Sequence, residues 1–182
     1  MSAAIVVPGY GGNPRQPIVV AMRSALTQRD IPSEAVAFST GGRSPSKDFA
    51  RELAELRAAR DDLLAKHPGP VALIGRSFGG RVCAFLAALE PPAALVILGH
   101  PIGPAGRPRP RDEAALASVR CPALVVQGDR DALGPLALLQ RVAAGNPRIE
   151  IAVIPDTGHE FRARTKQAVD LAAEWLATHL AA

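Results

Sequence analysis

Two shortages narrow the reading before any motif is considered. Only two cysteines, Cys83 and Cys121, occur in 182 residues. Neither belongs to a metal-ligand spacing and no His/Cys cluster accompanies them. They read as small buried hydrophobes rather than as a disulfide or a metal site, and no metal or cofactor is expected. Aromatic residues are also scarce, with five Phe, one Tyr and one Trp. The net charge of +4 therefore does not make a nucleic-acid binder, because no aromatic platform for bases exists. The arginines are scattered, and the densest group, Arg107, Arg109 and Arg111, alternates with prolines. Long apolar runs are missing as well. The run Ala3 to Val7 lacks a basic leader, and nothing approaches the roughly eighteen residues a membrane helix requires. A cytoplasmic protein without membrane insertion is the expectation, and the sequence leaves its oligomeric state open.

No internal repeat, low-complexity tail or linker divides the chain, so one domain over residues 1–182 is expected. Short apolar runs alternate with segments of helical spacing. Strands are predicted at 3–7, 34–38, from 71, 94–98, 123–127 and 149–154. Helices are predicted at 15–29, 46–66, after residue 77, near 112–119, 135–144 and 164–180. The charged face of 46–66, with Arg51, Glu52, Glu55 and Arg57, reads as solvated. Strands that are continuously apolar and separated by helices imply a parallel sheet covered on both faces. In such a sheet, sites form beyond the carboxyl ends of the strands.

The stretch Val71-Ala72-Leu73-Ile74-Gly75-Arg76-Ser77-Phe78-Gly79-Gly80 fits that rule. A buried strand runs into Gly-x-Ser-x-Gly and then into a helix, which is the pattern of a nucleophile elbow. A serine hydroxyl needs a base within reach, and the base needs an acid to orient it. Of the four histidines, His67 falls at a helix end and His179 in the last helix, and both read as surface residues. His100 lies at a strand end but precedes every acid available after the elbow. His159, past the last strand, fits the chain order Ser, acid, His. For the acid, Asp131 is preferred to Asp129, which would pair with Arg130 or hold the turn. Asp156 is too near His159. Backbone N–H groups of Phe78 and Tyr10 are the expected oxyanion donors. The loop Gly9-Tyr10-Gly11-Gly12-Asn13-Pro14 lacks the third glycine of a dinucleotide motif. His100, Ile102, Leu133 and Phe161, with Tyr10 and Phe78, are the candidate pocket walls, and residues 100–119 the candidate for a short flap.

Four blocks, Val7–Gly11, Gly75–Arg81, Pro122–Asp131 and Pro155–His159, appear in the order found in α/β-hydrolases. With the strand-end loop Gly99-His100-Pro101, they make the chain resemble the small capless bacterial members near the dienelactone hydrolases and the testis-expressed hydrolase-like proteins. The resemblance implies a minimal six-stranded parallel sheet of order 2-1-3-4-5-6 without a full cap domain, because the first strand corresponds to that family's third. It implies a serine hydrolase cleaving carboxylic esters or thioesters of small acyl substrates through Ser77, Asp131 and His159. The alternative is an inactive interaction or ligand-binding protein on the same fold. Two departures stand out. Pro8 replaces the histidine that usually precedes the first glycine, and Ser77 stands where dienelactone hydrolases carry cysteine.

Overall fold

The computed structural model describes residues 2–40 and 43–181. Strand β1 (Ala3–Val7) is followed by α1 (Pro17–Thr27), β2 (Ser33–Ala35), α2 (Ala50–Lys66) and β3 (Val71–Arg76). Then come α3 (Phe78–Leu89), β4 (Leu95–Leu98), α4 (Pro110–Ala117), β5 (Ala123–Gly128), α5 (Leu136–Ala144), β6 (Ile149–Ile154) and α6 (Thr165–Leu180). The six strands form one parallel sheet of order β2-β1-β3-β4-β5-β6. The chain reverses direction across the sheet between β1 and β3, and that switch point is where the elbow lies.

Alternation along the strands sorts the core into two layers. Ala3, Ile5 and Val7 join Leu73, Leu95, Ile97 and Val125 on the face covered by α2, α3 and α5. Ala4 and Val6 join Ile74, Val96, Leu98 and Val126 beneath α1 and α6. Both faces are therefore dry, which is why the sequence shows apolar runs rather than alternation. Cys83 and Cys121 are buried and free. Burial pushes the Cys83 thiol well above its ordinary range and Cys121 up to about 11.

The second strand departs from expectation. It spans Ser33–Ala35 rather than 34–38. Val36 still donates its amide to Val6, but Phe38 donates to Gly12 and turns into the core, edge-on to Phe78 at 6.1 Å. Packing of Phe38 against the β1 loop wins over further sheet pairing. No helix among the described residues is long and apolar enough to cross a membrane.

Candidate active site

The elbow is a steric construction. Ser77 sits at φ 49°, ψ −113°, a conformation that a side chain rarely adopts, between β3 and the first turn of α3. Its amide donates to the Leu98 carbonyl at 3.1 Å, anchoring the turn to β4. A Cβ on Gly75 would stand 2.5 Å from the Gly80 backbone, and one on Gly79 would stand 2.5 Å from the Val7 carbonyl oxygen. The glycines thus allow α3 to start directly against β1 and β3. Ser77 makes no side-chain cap bond to α3, and its hydroxyl points elsewhere.

That partner is His159, whose Nε2 lies 2.7 Å from Ser77 Oγ. On the other side of the ring, His159 Nδ1 lies 2.8 Å from Asp131 Oδ2. Asp131 is fixed in turn. Its Oδ1 accepts the Leu133 amide at 2.8 Å, and its Oδ2 accepts Gln127 Nε2 at 2.8 Å. Gln127, buried at the end of β5, also donates to the Gly134 carbonyl and accepts the His100 amide. One carboxamide therefore ties the acid to the ends of two strands.

The other two aspartates have different work. Asp129 Oδ1 accepts the Thr157 amide at 3.1 Å, while the Arg130 amide donates to the Thr157 carbonyl at 3.0 Å. This reciprocal strap holds the loop bearing Asp131 against the loop bearing His159. The Thr157 amide beside Asp129 holds its carboxyl below the ordinary value, despite the opposing effect of burial. Asp156 pairs with Arg130 on the surface.

A cavity of about 550 Å³ opens over Ser77 and His159. Its walls come from the β1 loop (Gly9, Tyr10, Gln16), the start of α1 (Pro17, Ile18) and Leu133. Arg76, Glu160 and Thr165 complete it. Tyr10 and Leu133 expose apolar surface there. Three other expected walls are corrected. His100 and Ile102 are completely buried and Phe161 is 2% exposed, and none of the three borders this cavity. Gly99, at φ +69°, turns the chain inward after β4 and carries His100 and Ile102 into the core. The expected flap at 100–119 does not cover the site either. It is held down by the Gly103 amide on Leu133 and by Arg109 on the Pro101 carbonyl. The Phe78 ring is buried, packed edge-on against Tyr10, Phe38 and Phe49, and it does not line this cavity.

Sequence reasoning missed Gln16, Arg76 and Gln127. Gln16 braces the β1 loop from both sides. Its Oε1 accepts the Gly9 amide at 2.8 Å, and its Nε2 donates to the Tyr10 carbonyl at 3.0 Å. The signal available was position, since Arg76 and Gln127 are polar residues ending apolar strands beside the site. Among the described residues no cluster of three or more potential ligands could hold a metal ion.

The comparisons agree with this fold. A lidless α/β serine hydrolase from Xanthomonas campestris superposes with a TM-score of 0.83 at 23% identity, covering 100% of this chain and 83% of that one. An α/β serine hydrolase homologue from Coxiella burnetii gives 0.80 at 22% identity, over 97% and 85% of the two chains. Est1E from Butyrivibrio proteoclasticus gives 0.81 at 18% identity, over 100% and 89%. A search of curated protein sequences finds no match. The sequence model of the alpha/beta hydrolase domain matches residues 3–181, and with the sheet order and the elbow this places the chain in the α/β-hydrolase family.

Proposed function

We propose that this protein is a serine hydrolase that cleaves carboxylic esters or thioesters through an acyl-enzyme on Ser77. The observation that carries the reading is the continuous contact from Ser77 Oγ through His159 to Asp131, at 2.7 and 2.8 Å, on the wall of an open cavity. In the first half-reaction Ser77 Oγ attacks the acyl carbon and its proton passes to His159 Nε2. Asp131 holds the ring orientation and offsets the imidazolium charge. The bond from carbon to the leaving oxygen or sulfur then breaks, and His159 returns the proton to the departing group. Water repeats the sequence to release the acid and restore Ser77.

The developing oxyanion needs donors already in place. The Phe78 amide, at the positive end of α3, and the Tyr10 amide, in the loop braced by Gln16, are the two that this reading assigns. A fluorophosphonate probe is expected to label the wild type and not Ser77→Ala. Labelling that survives the substitution overturns the assignment of the nucleophile.

A further inference from the structure

We propose that the cavity over Ser77 takes esters or thioesters bearing a second, negatively charged group, which Arg76 receives and for which Glu160 is a tethered, displaceable stand-in. The inference rests on the serine-hydrolase reading and adds the substrate class.

Arg76 is the residue before the serine, and its side chain is only 7% exposed while still bordering the cavity. Its guanidinium is fixed from behind. Nη1 donates to the Leu98 carbonyl at 3.1 Å, and the group lies 5.6 Å from the centre of the Phe161 ring. A cation buried to this degree needs a compensating anion. Among the described residues the one carboxylate in contact with it is Glu160, reached through a single Nη2 contact at 3.2 Å. The Glu160 side chain is 70% exposed, so the partner of a fixed, buried cation is itself loosely held in water.

The balance favours exchange. An exposed carboxylate held by one contact contributes little, whereas a guanidinium can offer an incoming carboxylate two parallel N–H bonds. Among the described residues no carboxylate other than Glu160 lines the cavity. Its wall also includes residues of the first turns of α1 and α6, Pro17, Ile18 and Thr165, and neither helix has an acidic residue in its first turn. With Glu160 swung into water, Arg76 is left as the fixed charge on the wall. A clamp that merely held the loop of His159 would give Arg76 no reason to discriminate between charged and neutral substrates.

Two substrate pairs separate these readings. Mono-p-nitrophenyl adipate is compared with its methyl ester, and 4-acetoxybenzoate with its methyl ester, so the carboxylate sits first on the acyl side and then on the leaving side. The wild type is expected to favour the charged member of at least one pair by about tenfold or more in kcat/KM. Glu160→Gln should raise that preference several-fold, and Arg76→Met should abolish it. Equal treatment of both members in the wild type and in Glu160→Gln overturns the proposal. If no ester turns over and fluorophosphonate does not label, the hydrolase reading fails, and binding then decides. Calorimetry on Ser77→Ala should show monomethyl adipate binding where dimethyl adipate does not, with the difference lost on adding Arg76→Met. Absence of that difference overturns the anion site independently of turnover.

Discussion

Pro8 has no backbone N–H and a side chain that cannot hydrogen-bond, so it donates nothing to the loop that carries Tyr10, whose amide is the second proposed oxyanion donor. Gln16 supplies what is missing by accepting from Gly9 and donating to the Tyr10 carbonyl. The carboxamide fixes the peptide units on either side of the Tyr10 amide, and if that amide is the proposed oxyanion donor, a displacement near 1 Å costs on the order of 100-fold in rate. Gln16→Leu is therefore expected to lower kcat by about 10- to 100-fold with little change in KM on p-nitrophenyl acetate. The thermal midpoint should stay within a few degrees of wild type, since Gln16 makes no cap bond to α1. A raised KM at unchanged kcat would instead assign Gln16 to substrate binding.

At the scale of elements, the turn between β3 and α3 depends on glycine for room rather than for torsion. Gly75 and Gly79 have no positive φ, and only the neighbouring backbone forbids a Cβ. Gly79→Ala drives a methyl group against the Val7 and Pro8 carbonyls, backbone at and just past the end of β1 that cannot give way as a flexible side chain would. The expected loss is roughly 2–4 kcal/mol by overpacking, read as a lower urea midpoint. Fluorophosphonate labelling should slow as well, because the same shift moves Ser77. An unchanged midpoint would mean that α3 slides freely. The strands were legible because both faces of the sheet are buried and the runs stay apolar. The shortened β2 was not, because Phe38 is as fit for a strand as for the core, and only tertiary packing decides. Strand-end position revealed that Ser77, Asp131 and His159 would gather. It could not reveal which way side chains point after a turn, so His100 and Ile102 were placed on the wrong side of the chain.

For the whole molecule, two buried polar groups set how it meets acid. His100 is completely buried, and both ring nitrogens lack a hydrogen-bond partner. Burial pushes its pKa down to about 4, with Asp112 and Asp131 opposing and Arg81 and Arg109 assisting. An unfolded chain would protonate this ring near its ordinary value of 6.5, so the unfolded state binds more protons between there and about 4. Stability is therefore lost as pH falls through that window, by roughly 2–4 kcal/mol once it is crossed. Glu52 acts next. Burial alone would raise its pKa, but hydrogen bonds from Ser46 and Thr40 outweigh burial and bring it from an ordinary 4.5 to about 2. The stability those bonds confer is present above pH 4.5 and is lost as pH falls toward 2. Urea midpoints measured from pH 8 to pH 3 should decline in two overlapping stages. His100→Leu should flatten the first stage, whatever its effect at neutral pH, and Glu52→Gln should flatten the second. A decline between pH 6.5 and 4 that persists unchanged in His100→Leu would assign the first stage to some other group.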